Sequence, residues 1–267
     1  MSYFYFIWKS HRSFLLFSMI TLSLFQFIIL KFVTTIDYSS IITLLLEQLP
    51  ENIQALFSED FISMLTVEGA AAFGFNHPMV LVILSMAAIT IPSRHIAGEA
   101  ETGTLELLLS FPVKRIWLLL NLWFTSVFFL FFIIFCALCS SLFAINIFHQ
   151  LSFEFFVSML KIAFNLWLLF VFIMSLTMVL SSFEKEGNKV GIRVAGITLI
   201  FYVLHYISSL WNAIRFIKPF NIFTYYQPEN LITGQRSFLL NVTVLFSIIL
   251  ISLFLSMFQF NRRDIPG

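Results

Sequence analysis

Residues 94–115 set six ionised side chains, Arg94, Glu99, Glu101, Glu106, Lys114 and Arg115, and one histidine, His95, between two long apolar runs. A charged residue at a bilayer centre costs about 2.5–3.5 kcal/mol on the insertion scale. Six of them cannot enter hydrocarbon together, so this island lies in water or against another protein, and it divides two membrane spans. A helical span needs ~20 mostly apolar residues. Six runs meet that need, near 13–33, 77–93, 115–140, 155–182, 190–211 and 238–260. The alternating pattern of a membrane barrel is absent, so backbone polar groups in lipid must be satisfied within helices. The expected fold is an all-α integral membrane protein with six transmembrane helices.

Composition narrows the function. Only 11% of the 267 residues are charged, against about 25% in a soluble domain. The 36 phenylalanines suit a lipid-facing surface, and the net charge of +1 offers no basic patch for phosphate contacts. Nucleic acid is therefore no partner. Cys136 and Cys139 lie inside an apolar run and read as small polarizable residues packed between helices. No His, Asp and Glu cluster has metal-ligand spacing, so no metal is expected. No nucleophile, base and orienting group assemble, so no enzyme is expected. The Gly-rich phosphate loop ending in Gly-Lys-Ser/Thr is absent, and with it the usual means of binding ATP. No cofactor is expected on this chain.

The chain reads as one membrane domain over 1–267. Its first run is too long for a signal-peptide core and lacks a small-residue cleavage site, so it is a retained span. Residues 1–12 place Tyr3, Phe4, Phe6, Ile7 and Trp8 beside Lys9 and Arg12, which suits an interfacial elbow helix. The outer loop at 34–76 carries two short amphipathic patterns, Ile41, Ile42, Leu45, Leu46 and Leu49, then Ile53, Leu56 and Phe57 after Pro50. Gly69, Ala70, Ala71, Ala72 and Gly74 allow close packing at the entry to the second span. A further loop at 214–237 precedes the last span. Lys9, Arg12, Arg94, Lys114, Arg115, Lys185, Lys189, Arg193, Arg262 and Arg263 fall on one side, which puts both termini and the island in the cytoplasm. Arg215, Lys218 and Arg236 dissent on the outer side.

Within the cytoplasmic segment 94–113, Leu105, Leu108 and Leu109 share one helical face, with Glu106 and Ser110 elsewhere. Gly103 permits a sharp turn before them and Pro112 ends the element. This pattern predicts a short amphipathic helix between spans two and three. His95 and Glu99 are spaced as a solvated i, i+4 pair. Gly187, Asn188 and Gly191 suit a tight inner turn. Asn165 and His205 lie within spans and are candidates for a substrate path or for interhelical hydrogen bonds.

The run Glu99-Ala100-Glu101-Thr102-Gly103-Thr104-Leu105-Glu106-Leu107-Leu108-Leu109-Ser110-Phe111-Pro112-Val113 resembles the intracellular coupling segment of type-2 ATP-binding-cassette export permeases. Lys218-Pro219-Phe220-Asn221 through Tyr226-Gln227-Pro228 resembles the aromatic, Pro-containing segment before that family's last span. The resemblance implies a permease subunit in a bacterial inner (cytoplasmic) membrane, paired with a second copy or a related permease. It implies that Glu99, Glu101, Thr102, Gly103, Thr104, Leu105, Glu106, Leu108, Leu109 and Pro112 meet a separate cytoplasmic ATPase, which would hold ATP and Mg and drive export. Two other readings stay open on the sequence. One is a non-transporting anchor or assembly subunit that uses an ATPase for mechanical or maturation work. The other is an ATP-independent channel or carrier, which predicts polar residues along pore-facing spans that this chain largely lacks.

The charge asymmetry predicts topology. Single cysteines placed at Glu51 and Ser152 should react with an impermeant thiol reagent from outside, and one placed at Thr102 only after permeabilisation. Labelling at Thr102 in intact cells would reject the arrangement.

Overall fold

The structure is a computed structural model and describes residues 3–35, 66–110, 114–149, 151–232 and 237–263. The paired amphipathic patterns of the first outer loop lie outside the described residues, as does Pro112. Every regular element among the described residues is helical. Among the described residues six stretches are long and apolar enough to cross a membrane: Tyr5–Thr35, Val67–Glu101, Arg115–Phe148, Phe153–Phe183, Gly187–Leu210 and Phe238–Arg262. The six-span helical fold expected from the sequence is the one observed.

Helix α1 (Tyr3–Thr35) has no break between the segment expected at the interface and the span. It contains neither Gly nor Pro, so nothing in its sequence stops it. The second span is longer than its apolar run at both ends. It begins as α2 (Val67–Asn76), continues as α3 (Pro78–Pro92) and runs on through a wider π-helical turn, Ser93–Gly98, to Glu101. The short helix α4 (Thr104–Ser110) follows. Helices α5 (Arg115–Phe148), α6 (Phe153–Phe183) and α7 (Gly187–Leu210) form the next three spans. Two short 3₁₀ segments, Asn212–Phe220 and Ile222–Tyr225, and α8 (Pro228–Ile232) lead to α9 (Phe238–Arg262).

Helix α6 is the centre of the bundle, with 78% of its most apolar window buried, whereas α7 buries only 17%. Helix α1 lies along α5, where Trp8 meets Phe129 and Ser140 Oγ donates to the Ser23 carbonyl at 2.6 Å. Helix α9 lies along α6, where Ser182 meets Ser256. The small residues of α2 form a packing seam, as their composition predicts. At Gly74 an added Cβ would sit 2.3 Å from Oε1 of the buried Gln26.

The second span breaks where Pro78 supplies no N–H. His77 Nδ1 accepts the Met79 N–H at 3.2 Å and caps α3. That takes away the helical donor of the Phe75 carbonyl, which accepts instead from Tyr226 Oη–H at 3.2 Å. Burial, with Glu229 nearby, pushes the Tyr226 phenol well above its ordinary value, so it remains a donor. Within the segment expected as a loop at 214–237, the stretch 221–231 thus turns inward, with Asn221, Ile222, Phe223, Thr224, Tyr226, Pro228 and Leu231 buried, while Phe216 and Phe220 are exposed. Irregular backbone is tolerated at such depth only where protein satisfies it. Asn221 does so by donating to the Phe201 carbonyl at 2.6 Å and accepting from Phe223 N–H at 3.0 Å. Asn165 Nδ2 donates to the Tyr225 carbonyl at 2.8 Å.

Replacing Tyr226 by Phe would strand the Phe75 carbonyl. Leaving a buried acceptor unpaired costs about 1–3 kcal/mol. Tyr226→Phe should insert normally yet unfold at a lower temperature in detergent, and an unchanged midpoint would reject the clamp.

Candidate functional site

The charged end of the bundle is built by the continuation of span two beyond its apolar run. The π-helical turn Ser93–Gly98 and the residues Glu99–Glu101 carry the helix past the span. The chain then reverses at Thr102 and Gly103. Gly103 has φ +75°, a left-handed conformation that Gly adopts without penalty. Two threonines close the turn. Thr102 Oγ1 donates to the Gly98 carbonyl and Thr104 Oγ1 to the Glu99 carbonyl, each at 3.2 Å. Helix α4 leaves this turn with Leu105 buried and Leu108 half-buried, while Glu106, Leu107 and Ser110 are exposed. Leu105 and Leu108 of the amphipathic pattern read from the sequence therefore lie inward.

The three carboxylates of the island occupy different environments. Glu99 Oε1 lies 2.8 Å from His95 Nδ1, and His95 Nε2 lies 3.1 Å from His11 Nε2. Both histidines are buried. The solvated pair expected at His95 and Glu99 is corrected: the unbroken N-terminal turns of α1 cover it and bring His11 against it. When His95 gives its Nδ1–H to an ionised Glu99, its Nε2 is left as the acceptor for His11. No sequence signal pointed to His11, because its partner is 84 residues away.

Glu101 faces span five. Its Oε2 accepts the Gly187 N–H at 3.1 Å and so caps the start of α7, where a carboxylate also opposes the helix dipole. Gly187 lies directly on the backbone of the π-helical turn. A Cβ there would sit 3.1 Å from both Gly98 N and the Ser93 carbonyl oxygen. The glycines read as a tight turn are a backbone-to-backbone contact. Glu106, exposed like Glu101, differs from both in that its carboxylate makes no hydrogen bond or ion pair among the described residues.

A second set of ties holds the remaining spans. Arg263 donates to the Ser181 and Glu184 carbonyls at 3.0 and 2.8 Å, satisfying the end of α6. The Arg263 carbonyl accepts from Arg115 Nη1 at 2.7 Å. Arg193 pairs with Glu184, and Lys189 with Glu186 at 2.6 Å. The intramembrane polar residues lie apart from this end. Asn165 serves the Tyr225 carbonyl, and His205 sets its ring edge-on to Tyr206 at 5.6 Å. Cys136 is partly buried, but Cys139 is exposed rather than packed between helices. It falls beside the outward phenylalanine stripe of α5, Phe128, Phe132 and Phe135. Among the described residues no three His, Cys, Asp or Glu side chains converge as metal ligands.

The family described as ABC-2 family transporter protein matches residues 9–265. The chain belongs to that family and is a membrane-spanning permease of an ABC transporter. No curated protein matches it.

The Gly187 contact yields a paired test. Overpacking a tight site costs about 1–3 kcal/mol. Gly187→Ala should destabilise the protein by that order and lower its unfolding midpoint. Gly196→Ala, where a Cβ meets nothing within 4 Å, should not. Equal behaviour of the two variants would reject the close contact.

Proposed function

We propose that this permease is the membrane half of an ATP-driven exporter, and that α4 seats in a groove on a separate cytoplasmic ATPase. The observation that carries the reading is the Gly103 turn. It presents a seven-residue helix held from inside by Leu105, with Glu106, Leu107 and Ser110 open on the outside. An apolar side chain such as Leu107, 67% exposed beside a free carboxylate, suits a protein partner better than water. The ATPase would hold ATP and Mg; this chain would bind neither. Thr102, Thr104, Leu108, Leu109 and Pro112 would shape and end the docking helix.

Glu99 and Glu101 take a different part in this mechanism. A push on α4 passes through the Glu99–Glu101 segment into α3 by covalent continuity. It passes into α7 through the Glu101 cap and the Gly187 contact. A second copy would cover the outward stripe of α7, where Ile192, Ile200, Val203 and Ile207 are exposed. Both termini and α4 would face the cytoplasm, following the Lys and Arg bias.

Glu106→Ala and Gly103→Pro test the reading. Removing one partner of a desolvated ionic contact costs about 2–5 kcal/mol, and a rim contact far less. Proline holds φ near −65° and cannot adopt the conformation of Gly103. Both variants should insert in the membrane but co-purify poorly with the ATPase, or leave its hydrolysis uncoupled from transport. If both dock and work like the parent protein, α4 is not the coupling element. The permease alone should hydrolyse no ATP.

A further inference from the structure

The length of span five fixes the depth at which its far end lies. Helix α7 has 24 residues. At the helical rise that is about 36 Å, against ~30 Å of hydrocarbon in a bilayer. Its first residue, Gly187, rests on the π-helical turn at the charged end. Its last, Leu210, therefore lies at the headgroups of the opposite leaflet. There the chain enters the 3₁₀ segment Asn212–Phe220, before Asn221 carries it back inside the bundle.

This segment is fixed on its inner side. Asn221 ties its end to the Phe201 carbonyl on α7 at 2.6 Å, and Tyr225 Oη–H donates to the Pro219 carbonyl at 2.7 Å. Its outer side is uncovered. With three residues per turn, positions i and i+3 of a 3₁₀ helix stand in one row. Ile214 and Ile217 make a half-buried row, whereas Ala213, Phe216 and Pro219 make an exposed one. Arg215 and Lys218 share the third row, about 6 Å apart along the axis at the 3₁₀ rise. Arg215 is exposed and Lys218 half-buried, and among the described residues neither side chain makes a hydrogen bond or an ion pair. The exposed Leu210, Trp211 and Phe220 extend the apolar surface to both sides. From Gly187 to Pro228 the sequence contains no Asp or Glu, so no nearby stretch of α7 or of the segment itself supplies a counter-charge.

We propose that the Asn212–Phe220 segment binds an anionic phospholipid headgroup of the leaflet opposite the charged end. The phosphate lies on the row of Arg215 and Lys218, with Trp211, Phe216 and Phe220 seated at the top of the acyl chains. Water suits the cations but not the open aromatic rings, and hydrocarbon suits the rings but not the cations. The boundary between headgroups and chains suits both, and two cations without a carboxylate select negative lipid. This also gives a role to the basic pair that stands against the Lys and Arg bias of the chain. A second copy is the weaker occupant, because a twofold contact here would set two such rows together with no carboxylate between them. The site lies at the far end of the bundle from α4 and needs no ATPase to be filled.

The test uses the full chain in phosphatidylcholine nanodiscs doped with phosphatidylglycerol that carries a photoactivatable group near the top of one acyl chain. Crosslinks should map to residues 211–220. Their yield should exceed that of the matching phosphatidylcholine probe about tenfold, which corresponds to about 1.4 kcal/mol. The preference should fade in about 1 M salt, where screening acts within about 3 Å. Arg215→Gln combined with Lys218→Gln should abolish the preference while labelling persists, and Arg215→Lys should keep most of it. Phe216→Ser should lower labelling by both probes. Equal labelling of the parent protein by both headgroups, no labelling at 211–220, or a preference that survives the double variant would overturn the site. A photoreactive group in place of the Phe216 ring that captured protein rather than lipid in whole membranes would overturn it in favour of a protein partner. Docking of the ATPase is read separately, so failure of either idea leaves the other measurable.

Discussion

The charged end depends on a contact with no slack: the first glycine of α7 resting on the backbone of the turn that ends span two. Side chains can yield by changing rotamer, but two backbones at van der Waals distance move together or separate. Because Gly187 sits on Ser93 and Gly98 and is capped by Glu101, the island and span five behave as one body. Arg263 and Arg115 bind the ends of spans three, four and six into another, and the Arg193–Glu184 ion pair crosses from one to the other. In the proposed mechanism a force applied at α4 would act on the boundary between these bodies. Packed interfaces of this kind have a few discrete arrangements rather than a continuum.

The opposite end solves a different problem. A proline break in a membrane helix frees carbonyls that lipid cannot satisfy. Here the aromatic segment after span five folds back, and Tyr226 supplies the missing donor. Asn165 and Asn221 then serve the irregular backbone of that segment in turn. The polar residues buried at this end therefore hold a non-helical stretch inside the bundle, which explains why they are amides and a phenol rather than charges.

Much of this was legible in the sequence, for reasons that differ by element. Span number follows from apolar length alone, and the α4 helix follows from Gly103 and the leucine spacing. Helix ends were less legible. Between Tyr3 and Thr35 no residue type marks a stop, so the first helix runs through what composition suggested was a separate interfacial piece. The buried character of 221–231 was hidden because its Pro, Asn and Tyr residues look like loop chemistry until their partners on α2, α6 and α7 are known. The three island carboxylates look alike in sequence. Only the tertiary partners His11 and Gly187 divide them into two tied to the rest of the bundle and one that is not.

The turn at Ser93–Gly98 closes on a wider ring than an α-helix, and so accommodates an additional residue. Each residue rotates the helix by about 100°. Everything beyond the turn therefore owes its compass bearing to that insertion. Deleting Ile96 or Ala97 would leave every residue named above in the protein, yet swing Glu99 and Glu101 more than a quarter-circle away from His95 and Gly187. Genetic drift in this stretch is thus constrained in a currency that residue identity does not capture. Exchanges that preserve the count keep the phase, whereas a three-nucleotide loss that spares the reading frame would scramble the geometry of the whole charged end.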